Sequence, residues 1–83
     1  MELKDTAHMM LSDDYKERFK AEYYQLKIRA EKLTDMLNAY KEGTLSFKPT
    51  CSYEMLFEQL VYMEHYLSML EHRAKEENIN LEG

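Results

Sequence analysis

Phe19, Tyr23, Leu26, Ala30, Leu33, Leu37 and Tyr40 recur at steps of four and three without a break. This is a heptad, with Tyr23, Ala30 and Leu37 at its a positions. A second heptad follows in Tyr53, Leu56, Leu60, Met63, Leu67, Leu70 and Ala74. Each run predicts a helix with one apolar seam. Leu11-Ser12-Asp13-Asp14 supplies the first start, with Ser12 as the cap and two acids suited to the positive end of the helix dipole. Gly43 ends the first helix, and the second starts within Thr50–Ser52, after Pro49. The spacing therefore predicts helices near residues 13–42 and 51–77.

Two helices of similar length and a short loop imply an antiparallel hairpin. In such a pair, opposed residue numbers sum to a constant. A sum of 93 sets core against core throughout: Phe19 with Ala74, Tyr23 with Leu70, Leu26 with Leu67, Ala30 with Met63, Leu33 with Leu60, Leu37 with Leu56 and Tyr40 with Tyr53. In that register Lys20 meets Glu71, Lys27 meets Glu64 and Glu22 meets Arg73. Each such surface pair contributes only about 0–1 kcal/mol, so the pairs count as evidence of register rather than of stability. Leu3, Ala7, Met10 and Leu11 sit at helical spacing in an N-terminal arm or short helix, residues 1–11. The hairpin takes residues 12–77, and the tail, residues 78–83, is expected to fray unless Ile79 and Leu81 dock.

A chain of 83 residues builds one small and marginal core. Its single cysteine, Cys51, excludes an internal disulfide and fits a reducing cytosol. The remaining remedy is self-association. The second helix carries a surplus apolar stripe of Met55, Tyr62 and Met69, joined by Tyr66 and flanked by Phe57 and Val61. Beside it the first helix offers Tyr15, Arg18, Gln25, Arg29, Lys32 and Met36. This Tyr/Met/Arg/Gln composition is typical of interfaces. The expected architecture is all-α: a hairpin that assembles into a homo-oligomeric bundle through Met55, Tyr62, Tyr66 and Met69, with a ligand pocket compatible with that assembly.

The net charge of −5 argues against general nucleic-acid binding through phosphates. No stretch approaches 18 apolar residues, so no membrane span is expected, and the N-terminus lacks the pattern of a secretion signal. There is no Gly-rich phosphate loop and no zinc spacing. His65, His72 and Glu58 share an f stripe, which faces solvent, and neither helix holds the Glu-x-x-His of a carboxylate-bundle iron site. Cys51 has no histidine nearby in sequence. Neither an enzyme nor a bound metal or cofactor is expected. In "SFKPTCSYE", Lys48 and the free donors of a helix start can hold an anion, but capping alone accounts for these residues.

"YKERFKAEYYQLKIRAEKLTDML" and "LFEQLVYMEHYLSMLEHRA" resemble a family of small phage and prophage helical proteins related to an open reading frame of crAss-like phages. The pattern covers roughly residues 12–77, through Tyr15, Arg18, Glu22, Lys32, Leu33, Gln59, Met63, Tyr66, Leu70 and Arg73. The resemblance implies an accessory protein in the cytoplasm of a bacterial host. Such proteins counter host defence by soaking up a nucleotide signal or by binding a defence protein; a structural adaptor is the blander role. In a nucleotide sponge, Arg18, Arg29, Lys32, Lys48 and Arg73 would meet phosphates, Tyr62 and Tyr66 would stack on bases, and Gln59 would read a base edge.

Overall fold

A computed structural model describes residues 1–81. The described chain is helical: a 3-10 turn Leu3–Thr6 leads into a short helix α1 (Ala7–Met10), then two long helices, α2 (Tyr15–Glu42) and α3 (Tyr53–Glu76). The long helices have 28 and 24 residues, so α2 is about 42 Å long at 1.5 Å per residue. They pack antiparallel along the two heptad seams. Phe19, Tyr23, Leu70 and Ala74 form one core cluster, and Ala30, Leu37 and Leu60 form a second, with Leu67 packed against both. At the far end the rings of Tyr40 and Tyr53 lie 5.6 Å apart. These contacts agree with the 93-sum register.

The ends follow from local chemistry. Asp14, not Ser12, caps α2, its carboxylate accepting from the Lys16 amide at 3.0 Å. Ser12 instead accepts from the Asp14 amide, so it shapes the turn before the cap. Ser52 caps α3 by accepting from the Met55 amide. Both long helices end in the same way. Gly43 (φ 76°) and Asn78 (φ 57°) take the left-handed conformation. The Thr44 amide then reaches the Ala39 carbonyl, and the Ile79 amide reaches that of Ala74. These are Schellman closures, which turn the chain back over the last helical turn.

That closure corrects the expectation of a fraying tail. Ile79 is buried in the cluster of Phe19, Tyr23, Leu70 and Ala74, Leu81 packs against it, and Tyr24 donates to the Leu81 carbonyl. Residues 82 and 83 of the expected tail lie outside the described residues. Asn tolerates a positive φ better than most residues, and the apolar contact between Ile79 and Ala74 is the usual companion of this motif.

The flank charges also differ from expectation. Among the described residues the ion pairs are Lys4–Glu2 and Arg73–Glu77. Glu71 accepts from the Tyr23 hydroxyl at 3.0 Å, and Glu22 accepts from Tyr66. Arg73 bonds Glu77, one turn away on its own chain, and Tyr15. Lys27 lies over the Tyr23 ring. A local partner costs less side-chain ordering than a partner on the other helix, and tyrosine hydroxyls compete well for exposed carboxylates.

Candidate functional site

The two long helices differ on the face beside the seam. On α2 this face is partly occupied. Thr6 is fully buried; its hydroxyl donates to the Leu3 carbonyl at 2.6 Å and accepts from the Gln25 amide at 2.9 Å. Ala21, one turn before Gln25, is also fully buried, under the face that the N-terminal segment covers. The Arg18 guanidinium donates to the Ser12 carbonyl at 2.8 Å. The N-terminal arm is thus a lid on the first half of α2, a role carried by one buried threonine without periodicity to announce it.

On α3 the corresponding face is bare. Met55, Tyr62 and Met69 are 60%, 64% and 60% exposed, and Tyr66 is nearly half exposed. Met55, Glu58, Gln59, Tyr62, Met63 and Tyr66 line a shallow groove of about 470 Å³. Its tyrosines are held from both sides. Tyr62 donates to Glu58, one turn earlier, at 3.0 Å, and Tyr66 donates across the hairpin to Glu22. The bond to Glu58 raises the Tyr62 pKa above its ordinary value. The heptad pattern does not mark Glu22 and Glu58, which fix these rings, as site residues. A carboxylate one turn before Tyr62 is the available signal.

The g flank places the expected polar residues in a ladder. Tyr15 meets Arg73 and Glu22 meets Tyr66, each pair one heptad from the next. The next step of the same register sets Arg29 opposite Gln59. Arg29 is exposed, and among the described residues it is the arginine that makes no hydrogen bond or ion pair. Lys32 lies one turn further along α2 and is exposed as well. Gln59 packs its amide toward the Met63 sulfur at 3.9 Å.

The remaining candidates stand apart from this groove. Arg73 lies over the Phe19 ring at 5.0 Å and is fixed by Tyr15 (2.8 Å) and Glu77 (3.2 Å). Tyr15 also donates to Glu77, which raises its pKa. Tyr15, Phe19 and Arg73 line, with Met10, Arg18 and Glu22, a separate hollow of about 280 Å³ at the C-terminal end of α3. Lys48 lines a small hollow at the hairpin tip with Tyr40, Gly43, Leu45, Phe47 and Pro49. The structure therefore gathers Gln59, Tyr62 and Tyr66 in one groove, sets Arg29 at its edge by register, and puts Arg18 with Arg73 at one end and Lys48 at the other.

The geometry suits holding a flat, partly polar molecule: rings with fixed hydroxyls, thioethers and an amide form the floor, with a free guanidinium beside them. No helix among the described residues is long and apolar enough to cross a membrane. The model of a family described as Sequestin matches residues 13–76. No curated protein and no solved structure matches the chain.

Proposed function

The chain belongs to the Sequestin family, and from that premise we propose that it is a non-enzymatic sponge that holds an anionic, base-containing small molecule without turning it over. The family name fits sequestration in the broad sense. The observation that carries the reading is the bare α3 groove: Tyr62 and Tyr66 with fixed hydroxyls, Gln59 one turn before Tyr62, and an unpartnered Arg29 that the g-flank register sets opposite Gln59. Tyr62 and Tyr66 stack on a base, Gln59 reads its edge, and Arg29 with Lys32 meets phosphate. Arg18 and Arg73 have protein partners and serve the fold first. A groove this open completes its walls with a second copy, which also covers the apolar stripe. By its resemblance to phage and prophage proteins, the chain acts in the bacterial cytoplasm, lowering the free concentration of a nucleotide signal that triggers host defence.

Calorimetry with a panel of cyclic dinucleotides and ADP-ribose derivatives tests this. One member of the panel should bind with unchanged composition after incubation, and Arg29→Gln should weaken it at least tenfold with an unaltered helical spectrum. Silence across the panel, together with tight capture of a host defence protein, would replace the sponge with a protein-binding inhibitor.

A further inference from the structure

The bare stripe of α3 is self-complementary when reversed. Tyr62 stands at its centre. Met55 and Met69 lie seven residues to either side, and both are 60% exposed. Glu58 and Tyr66 lie four residues to either side, Gln59 and His65 three. Two α3 helices laid antiparallel about Tyr62 therefore put Met55 of each copy against Met69 of the other. On one flank Glu58 comes beside His65, a carboxylate beside an imidazole that can donate, and on the other Gln59 comes beside Tyr66, two side chains that can each donate and accept. No like charges meet on the stripe. A parallel pairing would instead set Glu58 against Glu58 and His65 against His65. Isologous contacts need this kind of complementarity.

The arrangement of the rest of the hairpin favours this face. The N-terminal arm covers the first half of α2 through Thr6 and Gln25, which leaves the α3 stripe the more open of the two faces beside the seam.

We infer that the protein forms a two-fold dimer in which α3 packs antiparallel on α3 of a second copy, with Tyr62 on the axis. This deepens the proposed function and rests on it in one respect: the ligand groove borders the same stripe, and with Tyr62 packed on the axis the base stacks on Tyr66 at the groove edge. Each dimer then holds two equivalent grooves at the edges of the seam. One copy supplies Arg29 and Gln59 to a groove, and the second copy supplies the wall around its Tyr66. A monomer has half of each site.

Thiol cross-linking tests the pairing. In a Cys51→Ser background, to remove the exposed native thiol, Met55→Cys and Met69→Cys proteins are prepared separately. Because both positions are exposed, the monomer fold should be unaffected. A short bifunctional maleimide should link the two proteins when mixed and leave each one alone essentially unlinked. Tyr62→Asp should lower the dimer fraction at least tenfold by sedimentation. Efficient 55–55 or 69–69 links would overturn the antiparallel arrangement, and a wild-type monomer at high micromolar concentration would overturn the dimer. Calorimetry on the wild type keeps the two ideas separate. Ligand binding without 55–69 links sinks this dimer and spares the sponge, whereas 55–69 links without ligand binding spare the dimer and sink the sponge.

Discussion

Met69 and Leu70 are neighbours on one helix and belong to different parts of the protein. Leu70 is fully buried between Phe19, Tyr23, Ala74 and Ile79, whereas Met69 is 60% exposed on the outer stripe. The same contrast separates the faces of the two long helices. The face of α2 beside the seam is capped by the arm through Thr6, and among the described residues nothing caps that of α3. Apolar area that a fold does not use for its own stability is available for a partner. The buried set holds the hairpin together and the bare set is free to bind.

The sharpest break in this contrast is the pair Leu70→Ala and Met69→Ala. The first removes a fully enclosed side chain from a small core and should destabilise by about 2–5 kcal/mol. For a hairpin of this size that approaches the whole stability. The second should change monomer stability by less than about 0.5 kcal/mol, while weakening assembly. Thermal unfolding at low micromolar concentration, with sedimentation alongside, reads both. Similar losses from the two variants would mean that Met69 is part of the monomer core.

Thr6 gives the next effect. Thr6→Val keeps the shape and deletes the hydroxyl, leaving the Gln25 amide without its buried acceptor. The cost should be about 1–3 kcal/mol. Hydrogen exchange should locate it: the amides of residues 3–10 lose protection and the α3 seam does not. Uniform loss along both helices would show that the arm is not a separable lid.

The seam was legible in the sequence because burial repeats. Phe19 through Tyr40 and Tyr53 through Ala74 fix the register by their spacing alone, and the Tyr40–Tyr53 ring contact lies where that spacing puts it. Flank charges were not legible to the same degree. Lys20, Lys27 and Arg73 are long, solvated side chains with several partners in reach, and small energies decide among them. Thr6 gave no periodic signal. Asn78 is a non-glycine residue in the left-handed region, so the docking of Ile79 depends on a conformation that propensity ranks low. Of the expected site, Gln59, Tyr62 and Tyr66 come together because they share one helix face. Lys48, on a loop, does not join them.

Asn78 turns that last point into a smaller prediction. Asn78→Gly preserves the left-handed closure and should leave the melting temperature within a degree or two. Asn78→Ala meets the Cβ penalty of that region and should cost about 1–2 kcal/mol, seen as a lower melting temperature and faster proteolysis of the tail. Equal behaviour of the two variants would show that Ile79 docks without the Schellman turn.

The smallest effect at neutral pH comes from comparing the inner and outer tyrosines. Burial first, and then the bond to Glu71, pushes the Tyr23 hydroxyl up to about 12. Tyr62 is raised mainly by its bond to Glu58 and remains in water. A folded-state pKa above the unfolded value of 10 means that the unfolded chain loses its proton first. The contribution of Tyr23 is therefore fully present below pH 10 and is lost as pH rises from about 10 to about 12. Denaturant titrations across that window should show stability falling in the wild type and falling less steeply in Tyr23→Phe, which has no proton to lose. Tyr62→Phe should follow the wild-type slope far more closely. If Tyr62→Phe flattened the curve as much as Tyr23→Phe, the outer ring would belong to the fold no less than the inner one, and the division between a closed seam and an open face would fail.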